Sequence, residues 1–490
     1  MNDLRSSLIK EAVIYGGSRL LVILIPLIML PIVTRYLTPN DLGQYAAIMA
    51  FCSWVIILVG FGGTGPLTRY MSLTLEPEEK KIITSSWVWG MVCTTGIVLS
   101  AAWLGQGFIA ASFLNDAALC FPFFLALVAA FGSFIIDMFA QILRFDLKAT
   151  HFSVLQITRG IFTALFSIFL LIKGYQLLGL IIGGLIGALA LLPIYIFFTR
   201  DYLRLHINLP MLKKMILFGA PLVPATAMWT GLTMVDRLML VRYASNADAG
   251  LYATAVNLTA PIVLLYAAFG TAWSPRAFQI YKENSQLAPH LYGRVLYIFV
   301  FVMVLVSIPL AAFAKDLLML LTPESYWPAG VVVGLLCVAA ISDGSTYITQ
   351  LGFSIKEKTK YMIIPPIIAL LVNVVINYLL IPRWGYIGAA IASALSYAGL
   401  SLSYYAIGNK VFPIWVDKKI VFTMICFVLS IGGLGYLSSL ENHFFLVRML
   451  VLLISGVILY FLAPIRFQQL KVNYRNWILN RNIKDVQLRS

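Results

Sequence analysis

Fourteen apolar stretches, each 18 to 28 residues long, recur along the chain, at 11–34, 43–65, 84–111, 117–142, 152–172, 176–199, 215–241, 249–272, 295–314, 329–353, 361–381, 384–407, 420–438 and 446–463. A helix needs about 20 apolar residues to cross the hydrocarbon core of a bilayer. Only 11% of the 490 residues are charged and 61% are hydrophobic, against roughly 25% charged in a soluble domain. That balance excludes a water-soluble globule and equally a disordered chain, which would be polar and charge-rich. None of the stretches alternates with the period of two that barrel strands require. The sequence therefore predicts an all-α integral membrane protein with 14 transmembrane helices.

The basic residues orient these helices. The net charge is +15, with 35 Lys and Arg against 20 Asp and Glu. In a soluble protein such an excess would suggest nucleic acid; here it divides between two membrane faces. With the N-terminus in the cytoplasm, 26 of the 35 fall on the cytoplasmic side and six on the other. Every inner loop carries at least two, and no outer loop more than one. Lys and Arg are retained on the cytoplasmic side of membranes, so both termini are expected there. An uncleaved first span is expected, because no short apolar run precedes a small-residue cleavage site. No nucleic-acid partner follows from the charge.

The chain repeats itself. Residues 35–46 read RYLTPNDLGQYA and residues 242–253 read RYASNADAGLYA, with identities at Arg35/Arg242, Tyr36/Tyr243, Asp41/Asp248, Gly43/Gly250, Tyr45/Tyr252 and Ala46/Ala253. Most of these are polar or turn residues at a loop, which chance similarity among apolar segments would not supply. Arg69 and Arg276 keep the same spacing, while Gln141/Gln350, Thr150/Thr359 and Gly179/Gly388 drift by two residues. Each half holds an even number of helices, so the halves share one orientation about an axis along the membrane normal. The expected organisation is two parallel six-helix lobes, 1–210 and 211–410, two further helices within 411–463, and a basic cytoplasmic tail at 464–490. That tail suits either a surface attracted to anionic lipid or plain solvation.

Sites in such proteins lie between repeats, near helices interrupted at corresponding positions. Helix 1 carries Gly16, Gly17, Pro26 and Pro31, and helix 7 carries Gly219, Pro221 and Pro224. Both are expected to be broken and to act as hinges, with packing kinks as the alternative. Three arginines lie inside predicted spans: Arg19, Arg159 and Arg237. A charge at that depth costs several kcal/mol unless it meets a partner or water. The three are therefore candidate ligands for an anion, with snorkelling as the alternative for Arg237. The intramembrane acids are Asp137, Asp236 and Asp343. Each is read either as a coupling site for a proton or sodium ion or as a static partner of an arginine. Asn373 and Asn377, one turn apart, are read first as bonds between helices, with the lining of a polar path as the alternative.

Other chemistry is missing. There is no GxxxxGK[ST] phosphate loop, and His151, His206, His290 and His443 are scattered without metal-ligand spacing. The five cysteines, Cys52, Cys93, Cys120, Cys337 and Cys426, are isolated and read as small buried hydrophobes. No metal, cofactor or catalytic residue is expected, and a membrane glycosyltransferase is disfavoured because the outer loops are short.

With RYLTPNDLGQYA at its first outer loop, MVDRLMLVRYASNADAGLYA at 234–253 and GYIGAAIASALSY at 385–397, the chain resembles the polysaccharide transporter branch of the multidrug/oligosaccharidyl-lipid/polysaccharide exporter superfamily. The resemblance covers essentially the whole chain. It implies an O-antigen or capsule flippase of the bacterial inner membrane, moving undecaprenyl-diphosphate-linked oligosaccharide outward by alternating access. It further implies H+ or Na+ as driving ion and a polysaccharide polymerase downstream. Arg19, Arg159 and Arg237 would then line a cavity for the diphosphate. A lipid II flippase of the same superfamily is the nearest alternative. A drug/cation antiporter fits less well, because that branch has twelve helices.

Overall fold

The computed structural model describes residues 2–74, 76–113, 116–145, 149–416 and 449. Within them the chain is a bundle of twelve helical passes. The first lobe comprises α1 (Asn2–Tyr36), α2 (Pro39–Val59) with its short continuation α3 (Gly65–Leu73), α4 (Pro77–Phe113), α5 (Cys120–Phe145), α6 (Ala149–Ile172) and the pass formed by α7 (Gln176–Leu189) and α8 (Leu192–Thr199). The second begins with α9 (Leu209–Gly219) and α10 (Val223–Tyr243), which make one pass, and α11 (Asn246–Leu258) and α12 (Ala260–Glu283), which make the next. It continues with α13 (Ala288–Ala312), the short α14 (Ala314–Leu321), α15 (Gly330–Thr349), the short α16 (Leu351–Ile355) and α17 (Ile364–Asn409). The last of these is two passes joined at Gly385, where φ is +51°. The expected helices at 420–438 and 446–463 lie outside the described residues.

The first expected break is not there. α1 runs as one helix through Gly16, Gly17, Pro26 and Pro31. Proline removes a backbone donor, but membrane helices tolerate it because neighbouring groups or local adjustments satisfy the freed carbonyl. The seventh pass does break: the chain leaves α9 at Gly219, makes a 3-10 turn over Ala220–Leu222 containing Pro221, and resumes with Pro224 in the first turn of α10. Gly219 packs so closely on the Phe61 carbonyl, at the end of α2, that a Cβ there would overlap it. The eighth pass bends by 48° at Thr259, between α11 and α12. Among the described cysteines, Cys52 and Cys337 are buried, Cys120 is partly buried and Cys93 is exposed on α4. The uniformly buried reading of cysteine was therefore too broad, because helix faces toward lipid accept sulfur as readily as carbon.

The repeat is built into the contact between lobes. α2 starts with Thr38 as N-cap: Asp41 N–H donates to Thr38 Oγ1 at 3.3 Å, and Thr38 N–H donates to Asp41 Oδ2 at 3.0 Å. α11 starts likewise, with Asp248 N–H donating to Ser245 Oγ at 3.0 Å. Such caps satisfy donors that the first helical turn leaves free. The two capped ends cross. A Cβ on Gly43 would overlap the Asn246 carbonyl, and one on Gly250 would overlap the Pro39 carbonyl. Pro39 and Asn246 are themselves repeat mates, so the contact is reciprocal about the pseudo-two-fold axis. Tyr326 adds a buried bond across the same face, its hydroxyl donating to the Leu37 carbonyl at 2.8 Å.

Asp248 also holds the bend in α17, where Tyr386 N–H donates to its Oδ1 at 3.2 Å. Gly385 combines positive φ with a position where a Cβ would overlap that carboxylate. Left-handed backbone is costly for residues with a Cβ. Gly385→Ala is therefore expected to lower thermal stability in detergent by about 1–3 kcal/mol, while Gly399→Ala, which has open space around it, leaves it unchanged.

Candidate functional site

The first lobe encloses a cavity of about 430 Å³ between α1, α2, α5, α6 and α7. Helical spacing brings its polar groups together. Gln156, Arg159, Gly160 and Thr163 form one stripe of α6, while Ala126, Ala130, Ser133 and Asp137 form one stripe of α5. The opposite side of α6 presents Leu165, Phe169 and Ile172, all exposed, as a lipid-facing surface does. Close helix crossings set these faces. A Cβ on Gly183 of α7 would overlap Ser167 of α6, and one on Gly187 would overlap Thr163. Small residues let membrane helices approach this closely.

Arg159 and Asp137 meet in this cavity. Arg159 Nη1 donates to Asp137 Oδ1 at 2.7 Å. The pair is not sealed: 23% of the Arg159 side chain and 45% of the Asp137 side chain remain accessible. Among the described residues, the other guanidinium N–H groups and Asp137 Oδ2 have no hydrogen-bond partner. Tyr45 lines the same space without a hydrogen-bond partner among the described residues. The Tyr195 hydroxyl, buried and unpartnered among the described residues, lies within electrostatic reach of both charges. Because Asp137 neutralises Arg159, an incoming anion would meet the carboxylate as well. Two like charges ~4 Å apart repel by ~4 kcal/mol at an effective dielectric of about 20.

The polar centre of the second lobe around Asp236 is buried. Asp236 of α10 is 2% exposed and accepts three hydrogen bonds. They come from Asn377 Nδ2 at 2.6 Å, Tyr252 Oη at 2.7 Å and Ser393 Oγ at 2.7 Å. Asn377 Nδ2 also donates to Asn373 Oδ1 at 2.9 Å, and Asn373 Nδ2 to Ser396 Oγ at 3.1 Å. Asn377 Oδ1 is the one buried side-chain atom in this network without a partner among the described residues. Asn373 and Asn377 thus join the two halves of α17 to α10 and α11. Tyr252 and Tyr45 are repeat mates with opposite surroundings: one is bonded to a buried carboxylate, the other faces a cavity.

The remaining candidates are apart from one another. Arg237 is partly buried; its Nη1 donates to the Thr233 carbonyl of its own helix at 2.6 Å, and its guanidinium lies 5.9 Å from the Tyr252 ring centre. Asp343 of α15 is partly buried and accepts from Tyr266 Oη at 2.8 Å. Among the described residues no Lys or Arg forms an ion pair with Asp343 or Asp236. Gly16, Gly17 and Arg19 lie on α1; the Arg19 side chain lies outside the description. Sequence reasoning missed Tyr45, Gln156, Tyr252 and Ser393. The repeat signalled the two tyrosines by their matching positions, but their roles depended on which helix each faced. Among the described residues no cluster of His, Cys, Asp and Glu is arranged to hold a metal ion.

The chain matches the polysaccharide biosynthesis protein family over residues 8–281. A Haemophilus influenzae protein described as Lsg locus putative protein 1 is 22% identical over 302 residues, covering 60% of this chain and 71% of that protein. The lipid II flippase MurJ in an inward closed conformation is similar in structure, with TM-score 0.68, 15% identity and coverage of 96% of this chain and 100% of MurJ. An inward-facing multidrug resistance MATE transporter of the MOP superfamily gives TM-score 0.62 at 11% identity, covering 79% and 94%. The fold is thus that of a multi-pass membrane transporter. Since the family match spans more than half of its residues, the chain belongs to the polysaccharide biosynthesis protein family.

Proposed function

We propose that the protein is a flippase, not an enzyme. It carries an undecaprenyl-diphosphate-linked oligosaccharide, the repeat unit of an O-antigen, capsule or other exopolysaccharide, across the bacterial inner membrane. The observation that carries this reading is the polar cavity holding Arg159 and Asp137 inside a lipid-facing lobe, in a chain of the polysaccharide biosynthesis family. Ionisable groups at that depth are costly and mark the path of a polar substrate. The lobes would rock about their shared axis, with the break at Ala220–Leu222 and the bend at Thr259 taking up the change. Arg19 and Arg237 would meet the diphosphate, leaving the polyprenyl tail in lipid.

An ion gradient would drive the cycle, with Asp343 as coupling site. Of the three acids, Asp137 is held by Arg159 and Asp236 by three donors, whereas Asp343 has one tyrosine partner and no ion pair among the described residues. H+ or Na+ would be the partner. The charge bias supports cytoplasmic termini, and the product would be handed to a polymerase on the outer face.

Transport of lipid II is the second reading, favoured by the likeness to MurJ over 96% of this chain. Deletion in the host separates them. Loss of surface polysaccharide with normal growth and accumulation of the lipid-linked unit on the inner leaflet is the expected result. Arrest of peptidoglycan synthesis would instead support lipid II, and neither phenotype would sink both readings.

A further inference from the structure

We propose that the first-lobe cavity is a carbohydrate subsite: it recognises the glycan of the substrate, while the diphosphate is bound elsewhere. This inference rests on the flippase reading and assigns a substrate part to the Arg159–Asp137 site. Its ground is the balance of charge and hydrogen-bonding capacity on the cavity wall. A diphosphate requires a net positive site, and Arg159 is already neutralised by Asp137 at 2.7 Å. A sugar hydroxyl asks for something else: an acceptor for its proton and a donor for its lone pairs.

The cavity offers both. Asp137 Oδ2 can accept and the remaining Arg159 N–H groups can donate, with neither engaged among the described residues. Both side chains keep accessible surface. Gln156, one turn before Arg159, supplies a neutral donor and acceptor, and Tyr45 supplies a ring face together with a hydroxyl. Pockets that orient small ligands combine apolar and aromatic walls with a few placed polar groups, in volumes of about 300–1,000 Å³; this one is about 430 Å³. The second lobe makes the contrast. There the corresponding tyrosine, Tyr252, is bonded to Asp236 in a network that leaves one side-chain atom unpartnered among the described residues. Around the matched tyrosines, the second lobe's polar groups are bonded to one another, whereas those of the first lobe stay available.

The test uses the purified full-length protein in detergent and two probes. One is the host's own lipid-linked oligosaccharide, extracted from a strain lacking this chain; the other is bare undecaprenyl diphosphate. Wild type is expected to hold the glycosylated lipid at least about tenfold more tightly. The uncharged pair Arg159→Gln with Asp137→Asn keeps hydrogen-bonding capacity and is expected to stay within about threefold of wild type for both probes. The apolar pair Arg159→Met with Asp137→Leu is expected to lose the preference while binding the bare lipid as before. Export of surface polysaccharide in the host should follow the same order, at equal amounts of protein in the membrane.

A preference that survives in the apolar pair overturns the proposal and leaves the ion pair a structural one. Loss of bare-lipid binding in the uncharged pair overturns it too, and returns Arg159 to the diphosphate. If wild type binds both lipids equally, the subsite falls but the flippase stands. If wild type binds neither, both fall.

Discussion

Gly43→Val and Gly250→Val are each expected to cut polysaccharide export at least about tenfold and to lower the protein's thermal stability in detergent. The reason is the reciprocal crossing of α2 and α11. Each glycine lies against the backbone carbonyl of the other repeat's first helical residue, Asn246 for Gly43 and Pro39 for Gly250. Neither carbonyl belongs to a flexible side-chain end that could swing aside. Overpacking in a well-packed interior costs roughly 1–3 kcal/mol, and the helices can relieve it only by separating. Separation would strain the Tyr326–Leu37 bond on the same face. Because the contact is symmetric, the two variants should resemble one another. The double variant should be less damaging than two independent losses, since directly touching residues are not additive. An unfolding midpoint unchanged in both single variants would show that the crossing does not hold the lobes together.

Asp236→Ala should produce the second large effect, this time on stability. It removes the acceptor from Asn377, Tyr252 and Ser393 at once, all of them buried. A buried donor left without a partner costs about 1–3 kcal/mol. The Tyr252 and Ser393 hydroxyls lie 2.8 Å apart and Asn377 keeps its bond to Asn373, so the loss is that of about one donor together with the emptied space of the carboxylate. Asp236→Asn, which preserves an acceptor oxygen, should be milder. Asp137→Ala makes the control. Its carboxylate is 45% accessible in the cavity, and water replaces what is lost, as it does for exposed ion pairs. Thermal unfolding of the three purified variants ranks them. Asp137→Ala should instead impair export, so the two carboxylates separate into one that holds the lobe together and one that serves transport. Equal melting of Asp236→Ala and wild type would remove the network from any structural role.

Much of the architecture was legible from local pattern. The first twelve apolar stretches coincide with the twelve described passes, and the repeated blocks RYLTPNDLGQYA and RYASNADAGLYA lie at the reciprocal crossing of α2 and α11, a contact that the repeat alone did not predict. Even the break at Ala220–Leu222 follows from Gly219, Pro221 and Pro224. The first helix misled, because Gly16, Gly17, Pro26 and Pro31 carry the same breaking signals yet α1 continues through them. Proline weakens a helix locally, but neighbouring helices decide whether the chain turns.

The ionisable residues were visible one by one, but their partners were not. Arg159 and Asp137 lie on different helices and meet because α5 and α6 are rotated to face one cavity. Arg237 is bonded to the carbonyl one turn back on its own helix, a choice that depends on rotamer and surroundings. Tyr45 and Tyr252 occupy matching positions and share their sequence context, yet one is bonded to a carboxylate and the other lines a space.

What the sequence by itself determined is that the chain is a bundle of apolar helices, where the described ones lie along it, and that they come in two copies. Those properties sum along the chain: the transfer of each apolar residue into lipid is settled segment by segment. Which charges are neutralised and which polar groups stay available was decided by the tertiary structure alone. That depends on the rotation of each helix about its axis, set here by glycines packed against Ser167 and Thr163. A rotation of one residue position, about 100° at 3.6 residues per turn, would turn Arg159 away from Asp137 and remove the site without changing a single span.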